Sequence, residues 1–345
     1  KQLTSFLKKN KNKHIYNNTG LPFTYSRSHF SHDFLQYLCV CKYIKVNLDS
    51  YEDSLFDLNE VLKLTLPTPE KSETTAGWNN EELLQALKVD KGNSLSLIIN
   101  ELSKLNSIPY IKDHLFDGLG IYIHVKPNNN KFSIDQNKFI PEKIYFHNDL
   151  LKKFDHETLL NQKLPEEEKL TTSRLENYVS IIKNSMALTD RETDPVTYLD
   201  TNTLKIFHLE RGISVAIYSM TGDRHLPYEI YAGYTLFKNG YPAAYGGAWV
   251  FGKRANFGIN IFEWFRGGES GYIMCQLLRV YRQAFGINYF EVEPYQYGLD
   301  NPDGIKSGAF WFYYRYGFRP LDKHLRLLAE KENSKIRNNK KYKTT

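Results

Sequence analysis

The sequence contains few cysteines and no long apolar run. Three of its 345 residues are cysteine, too few for a disulfide framework. Cys39 and Cys41 form a C-x-C pair, which is a poor zinc site without further cysteines, and the ten histidines show no ligand spacing. No segment approaches the roughly 20 apolar residues that span a bilayer. Because no secretory signal opens the chain either, we expect a cytoplasmic protein without a metal site.

Most of the chain also lacks an excess of positive charge, although the net charge is +6. The first 13 residues carry +5 and residues 323–345 carry +6, which leaves −5 for residues 14–322. Basic tails are more often solvated ends than binding arms, and an acidic body lacks the basic face that dominates phosphate affinity. We therefore expect no nucleic-acid partner, except through the tails or the N-terminal region.

The length favours two domains over one, because single domains rarely exceed about 250–300 residues. A charged break at Lys163–Lys169 (KLPEEEK) marks the expected boundary. The prediction is an N-terminal α+β region over residues 1–165 and a second domain over residues 170–330. A basic, disordered tail is expected over residues 331–345.

Two helices are expected in the N-terminal region, over Asn80–Val89 and from Ser94 onward, followed by an extended run at Gly120–Val125. Helices followed by strands would suit a winged helix. The second helix carries only Lys104 as a cation, whereas recognition helices usually show several basic or amide side chains. A pair of packing helices is therefore favoured.

The second domain begins with an amphipathic helix, for which Ser173 and Glu176 form an expected capping box. Runs rich in β-branched and aromatic residues follow, and Asn239 and Gly240 supply the strongest short hairpin signal. The predicted strands are Lys205–Leu209, Ile213–Met220, Glu229–Phe237 and Tyr241–Phe251. An antiparallel sheet is therefore expected in this region.

The segment Asn256–Arg282 has a different pattern: a strand, a glycine-rich turn and an amphipathic helix. Successive backbone amides at a helix start form an anion cradle when glycines allow close approach, and Arg266 adds a cation. A pyrophosphate would suit such a cradle. The same pattern is equally typical of a tight turn between strand and helix, with Ser270 as the N-cap.

A second strand, Ile287–Glu293, and a helix, Ser307–Tyr316, follow. Ile261–Gly271 (IFEWFRGGESG) resembles the acyl-CoA motif of the GNAT N-acyltransferases, and Phe312–Phe318 (FYYRYGF) resembles the later motif of that family. Order and separation also match, and the resemblance covers roughly the last third of the chain. Asp190–Pro320 further resembles uncharacterised bacterial proteins.

The resemblance implies a mixed α+β, GNAT-like fold with a central, mostly antiparallel sheet. It implies transfer of an acyl group, acetyl by expectation, from acyl-CoA to the amine of a small molecule or protein. Ile261 would offer backbone groups to the pantetheine or the acyl carbonyl, and Tyr313 would protonate the departing thiolate. The loop that binds the pyrophosphate would comprise Arg266, Gly267, Gly268, Ser270 and Gly271.

The general base, which takes a proton from the amine, has three candidate carboxylates. Glu263 comes just after the first strand of the motif, and Glu291 and Glu293 lie on one side of the next strand. Glu293 is the first choice because it lies near the end of that strand, and Glu263 is the second.

Two departures from the family pattern keep alternatives open. Glu269 replaces a glycine of the phosphate loop, and a carboxylate beside a pyrophosphate costs Coulomb energy unless it faces solvent or pairs with Arg266. The donor could therefore be an acyl-carrier protein or an aminoacyl-tRNA, or the domain could sense acyl-CoA or another phosphorylated ligand without turnover. After Pro320 a helix from Asp322 to about Glu332 replaces the usual last strand.

Overall fold

The computed structural model describes residues 2–9, 13–72, 74, 77–89, 92–339 and 341–344. The helices are α1 (Gln2–Lys9), α2 (His32–Val40), α3 (Leu58–Leu62), α4 (Asn80–Ala86), α5 (Ser94–Ser103), α6 (Pro109–Asp117), α7 (His156–Asn161), α8 (Thr172–Thr189), α9 (Asp194–Thr197), α10 (Ser270–Ala284), α11 (Pro302–Ser307), α12 (Ala309–Arg315) and α13 (Lys323–Asn338). None of the helices in the described part of the chain has the length and apolar character that a bilayer span requires.

Two sheets organise the strands. The strands are β1 (Ser26–Ser28), β2 (Ile44–Tyr51), β3 (Ile121–Pro127), β4 (Lys205–His208), β5 (Ile213–Ser219), β6 (Ile230–Lys238), β7 (Tyr241–Phe251), β8 (Arg254–Ile261) and β9 (Tyr289–Glu291). The smaller sheet is antiparallel in the order β1-β3-β2, and the larger runs from β4 to β9 in chain order. Every pair in the larger sheet is antiparallel except β8 with β9. The mixed α+β class with a mostly antiparallel sheet is therefore confirmed.

The N-terminal helices pack against the smaller sheet. Strand β3 follows them, but its partners β1 and β2 precede α3 to α6 in the chain. The described strands after the helices thus form no hairpin of the kind that a wing requires. Leu83 and Leu84 of α4 and Ile98 and Leu102 of α5 are buried, as expected of packing helices.

Helix α8 begins at Thr172, and its N-cap is Thr171, whose hydroxyl accepts a hydrogen bond from the Arg174 amide at 3.4 Å. The predicted cap at Ser173 is therefore wrong by two residues. Tyr178, Ile182 and Met186 form the buried stripe that their spacing predicts.

One hydrophobic core joins the N-terminal region to the larger sheet. Phe34 and Leu102 from the N-terminal region, Ile182 from α8, and Ile206 and Phe237 from the sheet belong to the same buried cluster. A second cluster fills the opposite face of the sheet, beneath α10. The segment expected as a boundary, residues 163–169, therefore does not separate two independent cores.

Charged side chains also connect the two regions. Arg224, in the loop between β5 and β6, lies 2.5 Å from Asp113 of the N-terminal region. Lys112 is buried, and its Nζ donates to both carboxylate oxygens of Asp33 at 2.8 Å. Arg224 also lies 3.6 Å from Asp33 of α2, so the loop after β5 is held against both α2 and α6.

The hairpin predicted at Asn239 and Gly240 joins β6 to β7, and both residues have positive φ, 48° and 83°. Glycine is required at the second position, because a β-carbon there would lie 2.1 Å from the Phe139 carbonyl oxygen. The chemistry of the turn and the close approach of the N-terminal region therefore demand the same residue.

The C-terminal helices differ from expectation. The helix predicted over Ser307–Tyr316 is shorter, because α12 covers only Ala309–Arg315; α11 is an additional helix before it, and Gly308, whose φ is +72°, separates the two. Helix α13 begins after Asp322, as predicted, but extends to Asn338. Residues 331–338 are thus helical rather than part of a disordered tail, and Lys340 and Thr345 lie outside the described residues.

Candidate active site

A gap opens between β8 and β9 where their pairing ends. The two strands pair only at Arg254–Asn256 of β8, although β8 continues to Ile261. The Lys253 carbonyl accepts from the Tyr289 amide at 3.1 Å, and alternate residues of a strand turn their backbone groups to the same edge. In the rest of the strand, the backbone N–H and C=O groups of the odd-numbered residues from 257 to 261 therefore point into the gap.

Arg266 lies at the end of β8. Its Nε donates to the Ile261 carbonyl at 3.0 Å, so the backbone oxygen predicted for donor binding already has one partner. Within the described residues, no carboxylate forms a salt bridge with Arg266, and the terminal nitrogens of the guanidinium remain for an anion. Gly267 has a φ of +76°, which favours glycine at the turn.

The start of α10 supplies backbone amides. The first intrahelical hydrogen bond runs from the Ile273 amide to the Glu269 carbonyl at 2.9 Å. The amides of Ser270, Gly271 and Tyr272 precede this bond and have no partner in the helix ladder. The N-cap residue is Glu269, so the predicted capping role of Ser270 is wrong.

Glu269 turns away from this loop into the protein. Its buried carboxylate accepts from the Leu151 amide at 2.8 Å, from Lys238 Nζ at 3.0 Å and from the Arg211 guanidinium. Burial raises the pKa of Glu269, but these bonds outweigh burial and lower the pKa to about 2. The charge is therefore balanced by Arg211 and Lys238, and by neither solvent nor Arg266.

Replacement of Glu269 by alanine is expected to lower the free energy of unfolding by about 2 kcal/mol near pH 7, because a buried carboxylate is removed from two partly buried cations, which lose their partner. The folded pKa lies below the ordinary 4.5, so this stabilisation is complete above about pH 5 and declines as the pH falls towards 2. Urea unfolding of both proteins at about pH 7 and about pH 3 measures the difference, which should be smaller at the lower pH.

Glu167 provides the matched control. Its carboxylate lies 3.1 Å from Lys205 Nζ, and both side chains are about half exposed. Exposed pairs contribute little, so replacement of Glu167 by alanine should change the free energy of unfolding by less than about 1 kcal/mol. Equal losses for the two variants would contradict the structural role assigned to Glu269.

Packing, and not only the predicted anion cradle, requires glycine at position 271. A β-carbon at this position would lie 1.7 Å from the Tyr316 hydroxyl oxygen, so only glycine allows this contact between α10 and the end of α12. The ring of Tyr316 stacks on Phe154 with a centroid distance of 5.9 Å. The segment before α7 therefore closes over this end of α10.

Tyr313 of α12 is buried, and its hydroxyl donates to Gln296 Oε1 at 3.4 Å. Burial raises the pKa of Tyr313 to about 12, so the phenol is protonated at neutral pH. Gln296 Nε2 would lie 3.5 Å from a β-carbon on Gly258, which places Gln296 between Tyr313 and the middle of β8. One side chain, that of Gln296, therefore lies between the phenol and the part of β8 that is not paired with β9.

The structure brings Glu293 and Tyr313 together and leaves Glu263 apart. Glu293 accepts a hydrogen bond from the Asn256 amide group, and all three residues line a cavity of about 1110 Å³. The Glu263 side chain is 69% exposed, lies 3.5 Å from Arg191 and does not line this cavity. Of the three candidate bases, Glu291 and Glu293 line the cavity with the phenol, but Glu291 is paired with Arg254 at 2.7 Å, which leaves Glu293 as the base.

Sequence reasoning missed Asn256 and Gln296. Asn256 and Glu293 are 37 residues apart, and no local sequence pattern predicts their pairing.

In the described part of the chain, no group of three or more histidine, cysteine, aspartate or glutamate side chains is arranged to hold a metal ion.

Comparison with known proteins adds no relative. No protein-family model, no curated protein and no solved structure matches the chain.

Proposed function

We propose that this chain is a GNAT-like N-acyltransferase that moves an acyl group, acetyl in the simplest case, from acyl-CoA to an amine. The observation that carries the proposal is the open edge of β8 beyond residue 256, with the start of α10 at one end and Tyr313 nearby. An unpaired strand edge offers hydrogen bonds to the amides of a pantetheine arm, as strand edges do for peptides.

The phosphate end of the donor would lie at the start of α10. Three amides that precede the helix ladder and the guanidinium of Arg266 form an anion site of the kind that helix N-termini provide. Glu269 does not oppose a pyrophosphate there, because its charge is already balanced by Arg211 and Lys238. This removes the electrostatic objection to CoA that the sequence raises.

The transfer step needs one proton acceptor and one hydrogen-bond donor. The amine nitrogen attacks the thioester carbonyl carbon, a C–N bond forms and the C–S bond breaks. The proton from the amine passes to Glu293 and from there to solvent, while the leaving thiolate accepts a hydrogen bond from Tyr313 and departs as the anion or takes its proton from water. With a pKa of about 12, Tyr313 contributes mainly as a hydrogen-bond donor to the developing negative charge on sulfur.

The direct test incubates the protein with acetyl-CoA and a set of primary amines, and follows release of the CoA thiol together with the mass of the amide product. Amine-dependent thiol release supports the proposal. Saturable CoA binding without turnover on any amine would sink it in favour of a sensing module. An acyl-carrier protein and an aminoacyl-tRNA, tried as donors in parallel, would reveal a different donor class.

The three cysteines are free thiols, which fits action in a reducing compartment such as the cytoplasm.

Replacement of Arg266 by alanine is expected to raise KM for acetyl-CoA about tenfold, equivalent to about 1.4 kcal/mol, with little change in kcat. The reason is that the guanidinium would contact the pyrophosphate, which does not take part in the chemical step. Initial rates at varied acetyl-CoA concentration provide the measurement.

Arg282 serves as the control, since it is an exposed arginine in the last turn of the same helix. Its replacement by alanine should leave KM for acetyl-CoA within about twofold. A similar rise in KM for both variants would indicate general electrostatic attraction rather than a site at Arg266.

A further inference from the structure

A groove with apolar walls lies between α12 and α13, in a cavity that the proposed catalytic pair also lines. We call it the α12–α13 groove; it is part of the cavity of about 1110 Å³. Its defining residues are Phe310 and Trp311 on α12, Leu325 and Leu328 on α13, and the catalytic pair Glu293 and Tyr313.

The walls of the groove present apolar surface to solvent. Leu325 is 56% exposed and Leu328 is 54% exposed, although both line a concave cavity. The opposite wall carries the rings of Phe310 and Trp311, whose centroids lie 5.0 Å apart. Concave, apolar surface with a few polar groups at one end is the usual form of a small-molecule site. An apolar ligand body would cover both walls.

Glu293, an exposed carboxylate, gives the groove the charge that an amine requires. Three other carboxylates line the cavity and have partners: Glu291 lies 2.7 Å from Arg254, Glu332 lies 2.7 Å from Lys335, and Asp322 accepts from the Leu325 amide at 2.9 Å. Glu293 instead accepts from the neutral amide of Asn256, and it forms no salt bridge with any described residue. A ligand ammonium group would supply the missing counter-charge.

We infer that the α12–α13 groove binds the acceptor, a primary amine carried on a bulky apolar body, with the amine at Glu293 and the body between the two helices. The inference rests on the proposed function for the role of acceptor, but not for binding itself. An arylalkylamine and the amino terminus of a peptide that begins with apolar residues share this chemistry. A small polar amine does not.

Binding is measured first, without any acyl donor that could react. Calorimetric titration uses 2-phenylethylamine, phenylalanyl-leucine amide and, as the polar control, ethanolamine, each with and without free CoA. At least one of the two apolar amines should bind saturably, at least tenfold more tightly than ethanolamine. The tighter of the two distinguishes a small-molecule acceptor from a peptide.

Two leucines of α13 provide a matched pair of variants. Leu328→Gln changes the groove wall and should raise the Kd of the tighter apolar amine at least fivefold. Leu327→Gln changes the neighbouring residue, which is 65% exposed and does not line the cavity, and should leave the Kd within twofold. Both positions are on the surface, so neither variant threatens folding.

The possible results separate the two proposals. If an apolar amine binds, Leu328→Gln weakens that binding and no acyl transfer occurs, then the groove is an amine site and the proposed transferase is overturned. Two results would overturn amine binding in the groove but keep the proposed transferase. One is acyl transfer to ethanolamine as fast as to the apolar amines, and the other is equal Kd values for the two leucine variants. Absence of saturable amine binding with and without CoA would also overturn the groove.

Discussion

Replacement of Tyr313 by phenylalanine is expected to lower kcat for acyl transfer about 10²-fold, while KM for acetyl-CoA stays within about twofold. Only the hydroxyl is lost, because the ring remains packed in the second core cluster against Phe318, with a centroid distance of 5.5 Å. The leaving thiolate would then lack its hydrogen-bond donor. Steady-state rates of thiol release measure the effect.

Tyr314 is the control for this substitution. It is the next residue of α12, is almost equally buried, and contacts Arg319 through its ring, with the guanidinium carbon 3.7 Å from the ring centroid. Replacement of Tyr314 by phenylalanine keeps this ring contact, so kcat should change less than threefold. If the two variants have the same kcat, Tyr313 has no special part in the reaction.

Replacement of Glu293 by glutamine is expected to lower kcat/KM about 10²-fold, a loss of about 2.7 kcal/mol of transition-state stabilisation. Glutamine preserves the shape of the side chain but cannot accept the proton of the amine. The measurement is the initial rate at several amine concentrations, so that losses in kcat and in amine KM are separated. A loss in kcat supports proton transfer, whereas a loss confined to KM supports only amine binding.

Glu263 tests the choice between the first and the second predicted base. The structure places it outside the cavity and beside Arg191, so Glu263→Gln should leave kcat/KM within about twofold. If instead Glu263→Gln were the damaging substitution and Glu293→Gln the silent one, the assignment of the base would have to be reversed.

The larger sheet was predictable because its signals are local. Strands β5 to β7 follow runs of β-branched and aromatic residues, and the turn at Asn239 and Gly240 determines the register of one hairpin. The buried stripe of α8 follows from helical periodicity in the same way. In each case the information lies within a few neighbouring residues.

The parts that escaped prediction depend on residues distant in the chain. Glu269 and Arg211 are 58 residues apart, so the sequence shows an unexpected carboxylate in a glycine-rich loop without its partner. The pairing of Asn256 with Glu293 has the same cause. The predicted start of the helix at Ser307 is a different kind of error. Gly308 adopts a left-handed conformation, which glycine permits but does not require, so α12 begins only at Ala309.

The bond between the Leu151 amide and Glu269 has a consequence for how the chain can be divided. Leu151 lies before the expected boundary, in the segment that also stacks Phe154 on Tyr316. A fragment that began at residue 170 would lose both contacts and expose one face of α10, so the proposed donor site would have no fixed N-terminal turn. The segment that resembles an acyltransferase is therefore not expected to keep its structure as a separate fragment. A part of the chain that carries no such resemblance holds the start of α10 in place.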